Sequence, residues 1–186
     1  MSKIAPKEYK LKTGENLIIR TAKPDDAQAL LEHARTILAE DLYNITTVDE
    51  FKMTAEKERE WIQAHFDNPA HIVLLAEVNG SLTGLLHFEN GSRKRLAHKG
   101  TLHMSIQPEA RGKGIGTALL QSLIAWAKEN PVIEKLTLTV FAANQPAISL
   151  YKKMGFIEEG RRIQGIKVGD AKYVDEILMS RFVKDS

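Results

Sequence analysis

Three glycines alternate in Arg111-Gly112-Lys113-Gly114-Ile115-Gly116-Thr117, a stretch led in by Gln107-Pro108-Glu109-Ala110. The apolar run at 102–106 before it reads as a strand, and 118–128 after it reads as a helix. A strand that enters a glycine turn and opens a helix aims unpaired backbone N–H groups at one point. The positive end of the helix dipole aims there too. The chemistry this suits is the binding of a phosphate or pyrophosphate. Glycines also serve ordinary tight turns, so spacing has to decide. A dinucleotide loop asks for G-x-G-x-x-G and a P-loop for G-x-x-x-x-G-K-[ST]. This chain has G-x-G-x-G, and Lys113 comes too early with no Ser or Thr after it.

A second segment, Asn144-Gln145-Pro146-Ala147-Ile148-Ser149-Leu150-Tyr151-Lys152-Lys153-Met154-Gly155-Phe156, reads as one short helix. Asn144 is a good N-cap, and Pro146 sits in the first turn, where a missing N–H costs little. Gly155 is a helix stop, followed by apolar Phe156. Asn144, Ala147, Tyr151 and Met154 fall on one face at helical spacing. A tyrosine so placed is either a half-buried core residue or a phenol presented to a ligand.

Arg111 to Gly116 fits the pattern R/Q-x-x-G-x-G/A, and the second segment fits N-x-x-A-x-x-x-Y-x-K-x-G-F. Together they resemble the pyrophosphate loop and second coenzyme-binding helix of the GNAT N-acetyltransferase superfamily, which binds acetyl-coenzyme A. The resemblance implies that Met104 and Ile106 offer backbone groups to the pantetheine arm. It implies that the amides of Gly112, Lys113, Gly114, Ile115, Gly116 and Thr117 hold the pyrophosphate, with Arg111 and Lys113 as charge partners. A Cβ at Gly114 or Gly116 would then obstruct the phosphates. Asn144 would brace the pantetheine arm or an ordered water, and Lys153 matches the family's basic position near a coenzyme phosphate. Lysines at a helix end also simply suit the dipole.

Acetyl transfer to an amine needs a neutral amine, a polarised thioester carbonyl, a stabilised oxyanion and a proton for the departing thiolate. By resemblance, a backbone N–H at or beside Met104 meets the carbonyl oxygen and Tyr151 is the general acid. A phenol is neutral at pH 7 and can donate to sulfur. The base is open among His103, Glu77 and Glu89, all on expected central strands. His103 has the right intrinsic pKa, but a strand histidine can equally point away from a cleft. A water chain is the alternative. Asp41, Asp49 and Glu50 lie in the segment that covers the acceptor site in the family.

Those residues need a scaffold, and the chain supplies one. Residues 1–16 form a Lys-rich arm or an edge strand, and 17–20 is the first core strand. Pro24-Asp25-Asp26 opens a helix to about residue 40, with Ala27, Leu30, Leu31, Ala34 and Leu38 as its stripe. A second helix runs from residue 50 or 54 to 66. Asn79-Gly80 joins strands 71–78 and 81–89 as a hairpin. Residues 90–99 are a basic loop, better read as solvated than as a docking patch, and 101–106 is the strand before the glycines. After Asn130-Pro131 come a strand at 135–141, the Asn144 helix, and strands at 156–166 and 172–183 that turn at Val168-Gly169-Asp170.

The order β-α-α-β-β-β-α-β-α-β-β predicts one α/β (α+β) domain at 17–183. Its expected form is GNAT-like: a mixed, mostly antiparallel central sheet, helices on both faces, and a splayed central strand pair that binds coenzyme A. Of the 186 residues, 43% are hydrophobic and 27% charged, ordinary globular values, and the net charge of +2 is too small to imply nucleic acid. There is no cysteine, so no disulfide, thiolate nucleophile or Cys-bound metal. The six histidines show no H-E-x-x-H spacing. No metal, no membrane partner and a cytoplasmic location are expected, and a homodimer is compatible with the chain. The leading expectation is an acetyl-CoA-dependent transferase (an acyltransferase) acting on a small-molecule or peptide primary amine by direct attack. The alternatives are a non-catalytic acetyl-CoA sensor or partner subunit, and an unrelated phosphate binder.

Overall fold

The structure is a computed structural model that describes residues 2–40 and 42–184. Its elements are β1 (Lys7–Lys10), β2 (Asn16–Thr21), α1 (Ala27–Ala39), α2 (Ala55–Asp67), β3 (Ile72–Val78), β4 (Ser81–Asn90), β5 (Lys99–Ile106), α3 (Ile115–Glu129), β6 (Lys135–Phe141), α4 (Gln145–Lys153), β7 (Ile157–Gly169) and β8 (Lys172–Phe182). They build one eight-stranded sheet in the order β1-β2-β3-β4-β5-β6-β8-β7. Every pairing is antiparallel except β5 with β6.

Alternation along β3 divides the core between the two faces of the sheet. Leu74 and Ala76 lie in the larger cluster with Leu119, Leu120 and Leu123 of α3. Val73 and Leu75 lie in a second cluster with Leu30 of α1 and Ile62 of α2. Helices therefore cover both faces. The stripe read on α1 is buried at Ala27, Leu30, Leu31 and Leu38, and the structure adds His33 and Ile37 to it.

Several boundaries differ from the sequence expectation, each for a local reason. Of the two expectations for residues 1–16, the edge strand is the one found: β1 lies at the sheet edge, with Tyr9 opposite Leu17. Thr54 accepts the Lys57 N–H and caps α2, which fixes its start at Ala55. Gly114 adopts φ +94° as the cap of α3, so that helix begins at Ile115, three residues before the expected 118. The last hairpin turns at Asp170-Ala171 rather than at 168–170, since Ala171 takes φ +54°. Asn79 (φ +50°) and Gly80 (φ +82°) make the expected hairpin turn.

Between β5 and β6 only three positions pair: Lys99 with Lys135, Gly100 with Leu136, and Thr101 with Thr137. Beyond Thr101 the two strands part. This splay is the opening on which the candidate site is built.

Candidate active site

β5 supplies the floor of the opening. Gln107 N–H donates to Thr83 O (2.9 Å), so odd-numbered residues of β5 face β4 with their backbone groups. The backbone groups of Met104 and Ile106 then face the gap, where β6 no longer pairs with them. Their side chains pack on the α3 side of the sheet. His103 and Ser105 point to the opposite side, toward α1 and α2.

The glycine loop closes one end. Gly112 (φ +75°) and Gly114 (φ +94°) hold a conformation that L side chains rarely adopt, and a Cβ at either would meet nothing within 4 Å. Their outer surface is open for an incoming group. Ala118 N–H to Gly114 O (3.1 Å) is the first bond of α3, so the N–H groups of Ile115, Gly116 and Thr117 have no helical acceptor. No side chain caps them. Gly116 also has a packing role. It is buried, and a Cβ there would come 2.8 Å from Leu150 Cδ2 and 3.2 Å from Ile106 Cδ1. Its smallness lets α3 pack against α4 and β5.

The two cations of the loop are already engaged. Arg111 donates through Nε to Ile106 O (3.0 Å) and pairs through its other nitrogens with the Glu40 carboxylate. That ties the end of α1 to the end of β5. Lys113 stands 3.5 Å from Glu15, both about one-third exposed. The freely offered donors of the loop are therefore backbone N–H groups.

α4 forms the other wall. The Asn144 side-chain Oδ1 accepts the Ala147 N–H at 3.3 Å, making it the N-cap read from the sequence. Gly155 (φ +80°) ends the turn after the helix, and Phe156 meets Tyr151 edge-on with ring centroids 5.8 Å apart. Tyr151 is 7% exposed, and burial pushes its phenol up to about 12. It keeps its proton at any working pH. Its ring packs in the larger core cluster. Lys152 pairs with Glu158 at 2.8 Å, while Lys153 is exposed and forms no ion pair among the described residues.

The three candidate bases separate. Glu77 is held by Arg20 at 2.5 Å, and Arg20 also grips Asp26 with both terminal nitrogens at 2.7 and 2.8 Å. That carboxylate serves as a counter-ion to Arg20 and does not line the pocket of the other two candidates. Glu89 and His103 instead line one open pocket of about 350 Å³, with Lys99, Thr101 and Thr137. Desolvation lowers the His103 pKa below its ordinary 6.5, against a smaller opposing effect of Glu89. A neutral imidazole with a free lone pair follows. Glu89 also bonds His65 Nε2 at 2.8 Å.

Sequence reading missed His33. It is 1% exposed, sits on α1, and bonds Ser105 Oγ at 2.8 Å across the face of β5. Its polar nitrogen at an otherwise apolar position of the α1 stripe was the only available signal. In the α1–α2 connection, Asp49 and Glu50 accept hydrogen bonds from Thr47 and serve their own turn. Asp41 lies outside the described residues. Tyr43 meets Phe141, at the end of β6, edge-on at 6.0 Å.

Comparison with known proteins agrees with this fold. The family model of the acetyltransferase (GNAT) family matches residues 28–156. L-amino acid N-acetyltransferase AaaT of Escherichia coli is 27% identical over 165 residues, covering 89% of this chain and 97% of its own. A solved acetyltransferase of the GNAT family from Streptococcus pneumoniae is 31% identical with a TM-score of 0.86, and covers 90% of this chain and 99% of its own. The structure of yncA from Salmonella typhimurium with its cofactor acetyl-CoA shares the fold at a TM-score of 0.78 and 22% identity, covering 91% of this chain and 95% of that one.

Proposed function

The chain belongs to the acetyltransferase (GNAT) family, and on that premise we propose that it acetylates a primary amine by direct attack, with Tyr151 as general acid. Acetyl-CoA-dependent N-acetylation is the chemistry of the family. The observation that carries the finer reading is the splay: beyond Thr101 the backbone of Met104 and the Ile106 N–H have no strand partner on the β6 side, while Arg111 takes the Ile106 carbonyl. The loop fits a pyrophosphate, because it presents positive-φ glycines with open outer faces and three unpaired helix N–H groups. The catalytic domain spans 17–183, and β1 extends its sheet.

Bound acetyl-CoA supplies an acetyl group activated as a thioester. The N–H groups of residues 112–117 hold its pyrophosphate, and Lys153 lies exposed at the α4 end for a further phosphate. The backbone of Met104 and Ile106 lines up the pantetheine arm, and Asn144 at the head of α4 braces it. The Met104 N–H stabilises negative charge that develops on the carbonyl oxygen. His103, neutral because its surroundings desolvate it, takes the proton the amine loses as the new C–N bond forms. Glu89 in the same pocket favours the imidazolium that results. Tyr151 gives its hydroxyl proton to the sulfur as the C–S bond breaks and recovers one from solvent. The products are an amide and free coenzyme A.

Thiol release from acetyl-CoA, followed across a panel of amines that begins with free L-amino acids, tests the proposal. EDTA is present throughout. Turnover with at least one amine is expected. Stoichiometric acetyl-CoA binding with no turnover on any amine would instead make the chain a binder.

A further inference from the structure

Outside the coenzyme cleft, on the face of the sheet covered by α2, four imidazoles stand in a row. Ring centroids separate His71 from His65 by 5.2 Å, His65 from His87 by 6.2 Å, and His87 from His103 by 4.8 Å. Trp61 walls the middle of the row, 4.2 Å from the His65 ring and 5.2 Å from the His87 ring. One donor atom each from His65, His87 and Glu89 falls within 4.8 Å of the others.

Two details of this cluster point to a cation. His65 Nδ1 lies 2.8 Å from the Trp61 carbonyl oxygen, so Nδ1 carries a proton and donates it. That leaves Nε2 as the nitrogen with the lone pair, and Nε2 stands 2.8 Å from Glu89 Oε1. A lone pair and a carboxylate at that distance repel unless something positive lies with them. A second proton on His65 would serve, but it would leave His87 unexplained. His87 Nδ1 is buried and has no hydrogen-bond partner. Buried polar nitrogens rarely go unpaired. A metal ion that takes the lone pair of His65, the carboxylate of Glu89 and Nδ1 of His87 accounts for both. The Trp61 carbonyl then acts as the outer partner that fixes the ligand's tautomer and orientation.

We propose that His65, His87 and Glu89 form a binding site for a divalent transition metal of the zinc class. Two imidazoles and one carboxylate suit Zn²⁺, Co²⁺ or Ni²⁺ and disfavour Mg²⁺ and Ca²⁺, which want oxygen. Three protein ligands leave a fourth position, and Glu89 opens onto the pocket it shares with His103, where water supplies it. The site borders the pocket of the proposed base, His103, and shares Glu89 with it.

The test uses untagged full-length protein stripped of metal with a chelator. Titration with Zn²⁺ by calorimetry is expected to show one ion per chain. Titration with Co²⁺ is expected to produce the visible absorption bands of a low-symmetry, nitrogen-containing site. Glu89→Gln and His87→Asn should each weaken Zn²⁺ binding by about tenfold or more, while His71→Gln, outside the three-residue cluster, leaves it unchanged. Circular dichroism of each variant establishes that it is folded, and the exposed Glu89 position carries the test if His87→Asn is not. Absence of stoichiometric binding would overturn the proposal and leave a His65 imidazolium paired with Glu89. So would binding that Glu89→Gln does not weaken.

Discussion

The two sides of β5 are built by different means. On the α3 and α4 side, the proposed coenzyme cleft is made from residues 104–117 and 144–156, two local segments whose main offering is backbone. On the α1 and α2 side, the pocket of Glu89 and His103 and its surroundings use side chains from α1, α2, β4 and β5: His33, His65, His87, Glu89 and His103. Backbone donors need no particular side chain, only glycines that let them be approached, so a phosphate site leaves a compact pattern in the sequence. A pocket of side chains on separate elements leaves no spacing to read. The two sides should also fail differently when perturbed. The α4 wall should respond in catalysis, the α1–α2 side in pH dependence, and the loop in coenzyme affinity.

The largest effect is expected at Tyr151. Phe keeps the ring and its edge contact with Phe156 but removes the proton that the thiolate takes. Tyr151→Phe should lower kcat by roughly ten- to a thousandfold, the range for losing a general acid, with acetyl-CoA affinity nearly unchanged. Steady-state rates on the best amine of the panel, beside calorimetry, measure both. An equal loss of stability and affinity would make Tyr151 a core residue only.

The α1–α2 side should respond to acid. Burial, opposed only by Glu109, depresses the His33 pKa from 6.5 to about 4. A histidine whose folded pKa lies below its unfolded value contributes stability above pH 6.5, and that contribution is lost as pH falls toward 4. The difference corresponds to roughly 3 kcal/mol. Melting temperature should therefore drop between pH 6.5 and 4, and His33→Gln should flatten that dependence. A variant as steep as the parent would move the acid sensitivity to other groups.

Positions 114 and 116 separate affinity from packing. Gly114→Ala forces φ +94° on an alanine in open space, at a strain of about 1–2 kcal/mol, and should weaken acetyl-CoA binding by about tenfold. Gly116→Ala meets Leu150 at 2.8 Å and should cost about 1–3 kcal/mol of stability, with a smaller change in affinity. Calorimetry and urea unfolding on both variants give the pair of numbers. The reverse pattern would make Gly116 the phosphate contact.

What the sequence discloses follows the same division. The glycine loop, the Asn144 cap and the Gly155 stop are local devices, and each can be read from a few neighbours. The parting of β5 from β6 after Thr101 depends on where α3 and α4 come to lie, so no single segment encodes it. Glu77 and Glu89 look alike as acids on apolar strands; only the approach of Arg20 from β2 distinguishes a counter-ion from a pocket residue. The His cluster joins positions 65 to 103 through sheet register, which the spacing of histidines along the chain does not reveal. β7 lies at a sheet edge and is exposed along most of its length, so it lacks the alternation that would have marked its true end.

The smallest effect, and the finest cut between backbone and side-chain binding, is expected at Lys113. Its ammonium stands 3.5 Å from Glu15 and both side chains are about one-third exposed, so the pair is a surface contact worth about 0–1 kcal/mol. If the pyrophosphate is held by the N–H groups of residues 112–117, removing this charge takes away only a screened, long-range attraction. Lys113→Ala should then weaken acetyl-CoA binding less than about fivefold in physiological salt, and that difference should shrink further as salt rises. Calorimetry at two salt concentrations measures it, with Gly114→Ala as the reference for a perturbed backbone. A loss at Lys113 larger than that at Gly114, persisting in high salt, would mean that a desolvated side-chain cation holds the phosphate. The loop would then resemble the acceptor side in using side chains, and the contrast between the two sides of β5 would fail.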